Sequence, residues 1–262
     1  MTCILHLSDP HFGTEDPRLI EPLLQAVVAS RPDVVVLSGD LTQRARTGQF
    51  AAAARFIASL PAPVLCVPGN HDAPLHNVAL RLLAPWARYA AALGPDLEPV
   101  VDTGRVLIAG VNTANPLVWK DGRIRPDQLA RLRQLFADRP DRRRLAVLHH
   151  SLQGPPHEPP CLDGAEAAAV ALAAMGVEIV LSGHLHFTHV TPVALAPGLL
   201  SVQAGTCLST RRRGDGNAFN RLDLTEGGMK LTHLRAGPDG QFQPDAELHL
   251  SRQGGVWAVH GT

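Results

Sequence analysis

The chain has 262 residues, of which 45% are hydrophobic, and this is enough apolar material to bury a full-sized core. Lysine plus arginine and aspartate plus glutamate number 24 each, so the overall charge favours neither a nucleic-acid-binding protein nor one that binds anionic membranes. The function must therefore be sought in local motifs rather than in bulk electrostatics.

The compartment and the domain organisation follow from a few further features. The four cysteines are far apart and form no C-x-x-C pair, which predicts free thiols in a reducing compartment. No apolar run approaches transmembrane length and the N-terminus lacks a signal peptide, so we expect a cytoplasmic protein. No linker divides the chain. We therefore expect a single domain over residues 1–262, with a motif-bearing core (1–206) followed by C-terminal strands and a tail (207–262).

The N-terminal half predicts strands alternating with helices, the pattern of a parallel-rich layer. The predicted strands are residues 4–8, 34–37 and 64–67, and the predicted helices are about 17–30, 47–60 and 77–93. The strand at 34–37 is apolar throughout, which is typical of a strand buried on both faces. Asp40 lies just past its end, where open α/β sheets place their binding crevices.

The second half begins with the same alternation and then changes period. Strands are predicted at 106–111, 145–148 and 177–182, a helix from Pro126, a Pro-rich loop at 154–160 and a helix at 163–175. Short strands follow at 190–194, 199–204, 218–224 and 229–234, with a hairpin turn at Gly227-Gly228. These strands predict a more antiparallel sheet packed against the first. The tail from residue 236 is polar and Gly-rich, and its apolar segment 256–259 should dock on the protein or on a second subunit.

Five of these apolar strands run directly into residues that can bind a metal. The residues concerned are, in order, Asp9 and His11, Asp40, Asn70 with His71 and Asp72, His149 with His150, and His184 with His186. Any one of them alone would be better explained as a turn, a helix cap or a buried histidine. If the five strands lie side by side, all the clusters converge on one edge of the sheet, and the recurrence favours a metal site.

The spacing and chemistry of these residues indicate the kind of site. In an extended chain, the pairs Asp9/His11 and His184/His186 would each direct two side chains to one side. Oxygen and nitrogen ligands without thiolate suit Mn, Fe or Zn better than copper(I) or an iron–sulfur cluster. Seven candidate ligands are too many for one ion, whereas two ions that share Asp40 would use them all.

The order D-x-H, G-D, G-N-H-D, H, G-H-x-H, running from Asp9 to His186, resembles the calcineurin-like metallophosphoesterase superfamily. The resemblance implies an α/β fold, a four-layer sandwich of two mixed β-sheets flanked by helices. It also implies two divalent metal ions, Mn or Fe foremost, with Zn or Ni as alternatives. The implied ligands are Asp9, His11, Asp40 and His186 for one ion, and Asp40, Asn70, His149 and His184 for the other.

The resemblance implies roles for the remaining cluster residues as well. His71 would contact the phosphate or the leaving group without binding a metal, and Asp72 would orient it. His149 is preferred to His150 because the family pattern places the ligand first after the strand. A hydroxide held between the two ions would attack phosphorus in line with the leaving oxygen.

Within the superfamily the chain is most similar to bacterial class III cyclic-nucleotide phosphodiesterases, through its size, its G-N-H-D form and the segment Gly122-Arg123-Ile124 before Gln128-Leu129. This similarity implies a small phosphodiester substrate, with 3',5'-cyclic nucleotides as one candidate, and a homodimer as one assembly. We expect no nucleic-acid or membrane partner. A phosphomonoesterase or a lipid-linked pyrophosphatase is the alternative enzyme, and a non-catalytic scaffold with the same fold is the alternative of another class.

Three consecutive arginines, Arg211 to Arg213, leave two interpretations open. They could clamp an anionic substrate, or they could form a solvated surface run, which is the preferred interpretation.

Overall fold

The fold is seen in a computed structural model, which describes residues 1–154, 161–211 and 216–261. Its described strands are β1 (Thr2–Leu7), β2 (Val34–Leu37), β3 (Val64–Cys66), β4 (Val100–Asp102), β5 (Val106–Gly110), β6 (Gly122–Arg123), β7 (Arg143–Val147), β8 (Leu162–Asp163), β9 (Val177–Ser182), β10 (His189–Val193), β11 (Ala196–Gln203), β12 (Ala218–Thr225), β13 (Gly228–Ala236), β14 (Phe242–Gln253) and β15 (Val256–Gly261). Its described α-helices are α1 (Ile20–Ser30), α2 (Thr47–Ala58), α3 (Val78–Leu83), α4 (Ala87–Leu93), α5 (Pro126–Ala137) and α6 (Ala165–Ala174). Short 3-10 helices cover Pro17–Leu19 and Asn70–Asp72.

Two mixed sheets lie face to face. Among the described residues, the first sheet has the strand order β15-β14-β13-β12-β1-β2-β3, and the second has the order β10-β11-β9-β7-β5-β4. β1, β2 and β3 are parallel in the first sheet, and β11, β9, β7 and β5 are parallel in the second. Aliphatic side chains such as Val36, Leu145 and Leu181 fill the space between the sheets.

The outer layers are helical. α1 and α2 cover the first sheet through a core that includes Leu23, Val27 and Phe50, and α5 and α6 cover the second through one that includes Phe136 and Leu172. Helix, sheet, sheet and helix therefore stack in sequence, which confirms the predicted four-layer sandwich. Among the described residues, no helix combines the length and the apolar composition needed to cross a membrane.

The arrangement of the strands differs from the expectation in two respects. The five strands that carry the polar clusters do not lie side by side, because β1, β2 and β3 belong to the first sheet whereas β7 and β9 belong to the second. The C-terminal strands do not form a separate antiparallel sheet either, since β12 pairs with β1 and extends the N-terminal sheet. The periodicity of apolar residues predicts strands but not the strands they pair with, because the pairing depends on contacts between residues distant in the chain.

The single helix predicted for residues 77–93 is two helices. α3 ends at Leu83 and α4 begins at Ala87, with Pro85 between them. Proline has no backbone N–H to donate and disfavours a helical conformation in the residue before it, and Ala84 accordingly has φ −152° and ψ 61°. The apolar spacing continues across the break, which is why the pattern alone suggested one helix.

The tail is more ordered than its composition suggested. Residues 242–261 form the β14–β15 hairpin, and Gly254 and Gly255 make its turn with φ values of 58° and 82°. The docking predicted for the apolar segment 256–259 is confirmed for Trp257 alone, since Val256 is 47% and Val259 40% exposed. Trp257 is 3% exposed, and its indole N–H donates to the Glu178 carbonyl oxygen in the opposite sheet at 3.0 Å.

Two further predictions concern cysteines and a loop. The four cysteines carry free thiols, as expected. Most of the predicted Pro-rich loop, residues 155–160, lies outside the described residues.

Replacing Trp257 by alanine should destabilise the protein, because it removes a buried indole that joins the two sheets. We expect the free energy of unfolding to fall by about 3 kcal/mol, the lower end for a buried aromatic side chain. Val259→Ala in the same strand is the matched control, and since Val259 is 40% exposed its effect should stay within about 0.5 kcal/mol. Urea unfolding followed by circular dichroism measures both. Equal effects would show that the buried indole stabilises the protein no more than an exposed side chain does.

Candidate metal centre

The five polar clusters meet where the two sheets face each other. Three of them follow β1, β2 and β3 of the first sheet, and two follow β7 and β9 of the second. Backbone hydrogen bonds join loops of the same sheet: Asp9 N–H donates to Gly39 O at 3.1 Å, and Gly183 N–H donates to His149 O at 3.0 Å. A further hydrogen bond joins the loops of the two different sheets: the His184 N–H donates to Asp9 Oδ2 at 3.0 Å. The convergence expected at one sheet edge therefore occurs between two sheets.

Five of the seven candidate ligands have a left-handed backbone. Their φ values are 50° for Asp9, 48° for His11, 49° for Asp40, 74° for His184 and 63° for His186. Residues with a Cβ rarely adopt this conformation, which costs about 1–3 kcal/mol each and is concentrated at functional sites. The extended chain predicted for the D-x-H and H-x-H pairs is wrong, since both residues of each pair have a left-handed backbone. Asp9 and His11 come together, whereas His184 faces Asn70 and His149, and His186 faces Asp9 and His11.

Two glycines are required by the close approach of these loops. A Cβ at Gly69 would collide with the Asp40 carboxylate, and one at Gly183 would collide with the Ser8 hydroxyl and the Asp9 carboxylate. The glycine in the G-N-H-D and G-H-x-H segments therefore leaves room for a ligand that comes from a different loop.

The first group of candidate ligands consists of Asp9, His11, Asp40 and His186, all of them buried. One ligand atom of each lies within 4.8 Å of the others. His186 Nε2 is 3.2 Å from Asp9 Oδ1 and 3.0 Å from His11 Nε2. His11 Nε2 is 3.6 Å from both Asp9 Oδ1 and Asp40 Oδ2. The group contains the same four residues that the resemblance implies for one ion.

The second group consists of Asn70, His149 and His184. Asn70 Oδ1 is 3.2 Å from His149 Nε2 and 3.1 Å from His184 Nδ1, and these two nitrogens are 3.2 Å apart. Asp40 Oδ1 lies 3.4 Å from His149 Nε2. These residues are the set that the resemblance implies for the other ion.

Asp40 lies between the two groups. Its Oδ2 faces His11, whereas its Oδ1 faces His149 and also accepts the His71 backbone N–H at 2.8 Å. Burial raises the pKa of Asp40, but the attraction of His149, His71 and His11 outweighs burial and holds the pKa well below its usual value. The carboxylate is therefore ionised and has one oxygen for each group.

The residues present fit divalent cations. Asp9 Oδ1 is buried and accepts no hydrogen bond from any described residue, and a bound cation would satisfy it. His11 and His186 bring two ring nitrogens to 3.0 Å from each other, a contact that needs either a proton or a metal between them. Carboxylate, amide and imidazole donors are suited to Mn, Fe or Zn. These residues could therefore hold two ions.

His150 lies beside the second group but is engaged elsewhere. A ring nitrogen of His150 is within 4.8 Å of ligand atoms of His149 and His184. However, its Nε2 donates to the Lys120 carbonyl oxygen at 2.9 Å, and its Nδ1 accepts from the Thr113 hydroxyl at 2.8 Å. Both ring nitrogens are thus used to hold the 113–120 loop, and His149 stays the predicted ligand.

The prediction that Asp72 orients the His71 ring is wrong. Asp72 accepts hydrogen bonds from the backbone N–H groups of Leu41, Thr42 and Gly69 and from the Thr42 hydroxyl, at 2.9–3.1 Å. It therefore fastens the loop after β2 to the loop after β3. The His71 ring is instead positioned through its Nδ1, which donates to the Gln43 carbonyl oxygen at 2.9 Å.

A cleft of about 450 Å³ opens over the two groups. Its lining comprises Asp40, Asn70, His71, Trp119, Lys120, His184, Leu185, His186 and Arg211. Arg211 Nη1 is 3.3 Å from His71 Nε2, so the first arginine of the 211–213 run faces the site and not bulk solvent alone. Arg212 and Arg213 lie outside the described residues. No sequence motif assigned Trp119 or Lys120 to the site.

A buried chain of hydrogen bonds behind Asp9 was also missed. His6 Nε2 is 2.9 Å from Ser38 Oγ, Ser38 Oγ is 2.8 Å from Ser8 Oγ, and the Ser8 hydroxyl donates to Asp9 Oδ2. This chain and the His184 N–H occupy Oδ2, which leaves Oδ1 free to face the histidines. A sequence signal for this chain of hydrogen bonds was His6 itself, a histidine on the core-facing side of β1. Ile4, two residues earlier on the same side, is aliphatic.

A family model described as calcineurin-like phosphoesterase matches residues 3–187. The probable cyclic nucleotide phosphodiesterase of Synechococcus sp. is 29% identical over 167 residues, covering 59% of this chain and 58% of that protein. The glycerophosphodiester phosphodiesterase GpdQ of Enterobacter lignolyticus is 32% identical over 80 residues, covering 26% of this chain and 29% of that protein. The matches thus span little more than half of the first relative and under a third of the second.

Among solved structures, the fold is similar to that of a dimetal phosphatase from Danio rerio, with a TM-score of 0.70 and 15% identity over 96% of this chain and 99% of that chain. At this identity the likeness concerns the fold, and it agrees with the four layers described above. The family model includes every cluster from Asp9 to His186 and covers more than half of the chain. The chain therefore belongs to the calcineurin-like phosphoesterase family.

Proposed function

We propose that the protein is a binuclear metal-dependent phosphodiester hydrolase. The observation that carries the proposal is the position of Asp40, an ionised carboxylate with one oxygen toward each group of nitrogen and oxygen donors. Membership of a phosphoesterase family supports it, as do the two relatives that are named phosphodiesterases.

The proposed ligands of one ion are Asp9, His11, Asp40 and His186, and those of the other are Asp40, Asn70, His149 and His184. Two divalent ions in such a site lower the pKa of a water molecule and stabilise the charge that develops on phosphoryl oxygens. The proposed metals are Mn or Fe. The donor set also accommodates Zn and Ni, which are the alternatives.

The side chains of the cleft have roles of their own. The His71 ring is held by the bond from Nδ1 to the Gln43 carbonyl oxygen, so its Nε2 is the atom available to the substrate. Arg211 lies beside this nitrogen and carries a permanent positive charge, which suits a phosphoryl oxygen. We assign His71 Nε2 to the leaving-group oxygen and Arg211 to the phosphoryl group.

The proposed substrate is a small phosphodiester, with 3',5'-cyclic nucleotides as one candidate because a relative bears that activity in its name. A phosphomonoesterase or a lipid-linked pyrophosphatase would use the same centre. All seven candidate ligands are present and converge on an open cleft, which argues against a non-catalytic scaffold. A cytoplasmic homodimer without nucleic-acid or membrane partners completes the proposal.

A substrate panel tests the activity. Protein loaded with Mn²⁺ is assayed on bis-p-nitrophenyl phosphate, p-nitrophenyl phosphate, cyclic AMP and glycerophosphodiesters. We expect turnover of diesters to exceed turnover of the monoester, and chelation to abolish both. A preference for the monoester would indicate a phosphomonoesterase, and no turnover together with less than one bound metal per chain would indicate a scaffold.

Asp40→Ala should remove both ions, because the carboxylate serves both groups and offsets the repulsion between the two cations. Asn70→Ala is the matched control, since Asn70 contacts the second group only and its loss should leave about one ion per chain. Metal content measured by mass spectrometry after gel filtration in Mn²⁺ buffer distinguishes them. Two ions retained in Asp40→Ala would remove the bridging assignment.

His71→Ala should slow the reaction according to the leaving group. With a poor alkoxide leaving group the rate should fall by about 10²–10⁴, the usual contribution of a positioned proton donor. The loss should be much smaller on bis-p-nitrophenyl phosphate, because p-nitrophenolate leaves without a proton. Metal content should stay close to that of the wild type. Equal losses on both substrates would assign His71 to charge stabilisation instead, and lost metal would assign it to ligation.

A further inference from the structure

The loop before β6 carries a large aromatic side chain at the edge of the candidate metal centre. Trp119 lines the cleft together with Lys120, yet 66% of it is exposed. Tryptophan is highly buried on average, so a mostly exposed indole beside a binding cleft needs a reason other than packing.

The backbone of this loop is held from beneath by a buried arginine. Arg81 of α3 is 6% exposed, and its guanidinium donates to the carbonyl oxygens of Pro116 at 2.6 Å, Val118 at 2.7 Å and Pro74 at 3.2 Å. Hydrogen bonds from a charged donor are stronger than neutral ones. Trp119 is therefore exposed although the backbone of its loop is held by hydrogen bonds from Arg81.

The same loop is fastened to the candidate metal centre. Asn70 Nδ2 donates to the Trp119 carbonyl oxygen at 3.2 Å, while Asn70 Oδ1 faces His149 and His184. His150 Nε2 donates to the Lys120 carbonyl oxygen at 2.9 Å. The position of residue 119 relative to the ligands is thus set by two hydrogen bonds from the ligand loops themselves.

The two faces of the indole have different surroundings. The Arg81 guanidinium carbon lies 5.5 Å from the ring centroid, within the range of a cation–π contact. Because Arg81 is buried, this face is turned toward the protein, and the exposed area of Trp119 lies on the remaining surface of the ring. A flat apolar surface is therefore presented at the cleft by a side chain supported from behind.

We propose that Trp119 is a specificity-determining residue that stacks on a planar group of the substrate, so that the substrate class is nucleoside phosphodiesters. The inference rests on the proposed function and extends it from phosphodiesters in general to those that carry a base. The phosphoryl group lies at the metal centre beside His71 and Arg211, and the base lies on the indole. Neighbouring apolar residues such as Leu117, which is 76% exposed, do not line the cleft.

Binding of two phosphate monoesters to Mn²⁺-loaded protein tests the stacking directly. 5'-AMP and glycerol 3-phosphate are both phosphate monoesters of an alcohol, and only 5'-AMP carries a base. Titration calorimetry gives the dissociation constant of each without requiring turnover. Base–aromatic stacking predicts that Trp119→Ala weakens 5'-AMP about 10- to 100-fold and leaves glycerol 3-phosphate unchanged. Trp119→Phe should retain most of the affinity for 5'-AMP, since it keeps an aromatic face.

Leu117→Ala is the matched control on the same loop and should change neither constant, and metal content should be that of the wild type in all variants. Equal weakening of both ligands by Trp119→Ala, or wild-type protein that binds 5'-AMP no more tightly than glycerol 3-phosphate, overturns the proposal. So does binding to phosphatidylglycerol vesicles that both Trp119→Ala and Leu117→Ala abolish, which would assign the exposed apolar residues to a lipid surface. A wild-type protein that prefers 5'-AMP through Trp119 but cleaves no diester would leave stacking intact and remove the proposed hydrolase activity.

Discussion

The Asp40 carboxylate, placed between histidines from two different sheets, is the interaction on which the rest of the site depends. Its Oδ2 faces His11 of the first sheet and its Oδ1 faces His149 of the second. A buried anion is tolerated only with compensating partners, and here these are imidazoles and the His71 N–H. Metal ions would add further compensation. The site is therefore also the place where the two sheets are joined at this end of the sandwich.

Holding Asp40 there requires backbone strain, and the surrounding structure supports it. Asp40 has φ 49°, and the loop that follows is fastened to the Asn70 loop by three hydrogen bonds, which Leu41 and Thr42 donate to Asp72. Burial and the nearby Asp40 charge raise the pKa of Asp72 to about 7. The His6–Ser38–Ser8 chain supports Asp9 in a comparable way. Such supporting contacts keep ligands in place before an ion binds.

The cleft above the centre is chemically divided. His71 and Arg211 present polar and charged groups that suit a phosphoryl group, whereas Trp119 presents an aromatic surface. The centre itself is built at the ends of strands, but Trp119 and Arg211 lie on loops. Within one family the metal chemistry can thus stay constant while such loops change the substrate, because loops vary without disturbing the core.

The sequence by itself determined which residue types form the candidate centre. Residue types such as Asp9, Asn70 and His184, each placed just after an apolar strand, are a local property that can be read without knowing how the strands pair. Local patterns could not show that the strands divide between two sheets or that the D-x-H turn is left-handed. They could not show that both ring nitrogens of His150 are used to hold the 113–120 loop, or bring Trp119 to the cleft. Those features depend on contacts between residues distant in the chain, such as Asn70 with Trp119, and only the tertiary structure decided them.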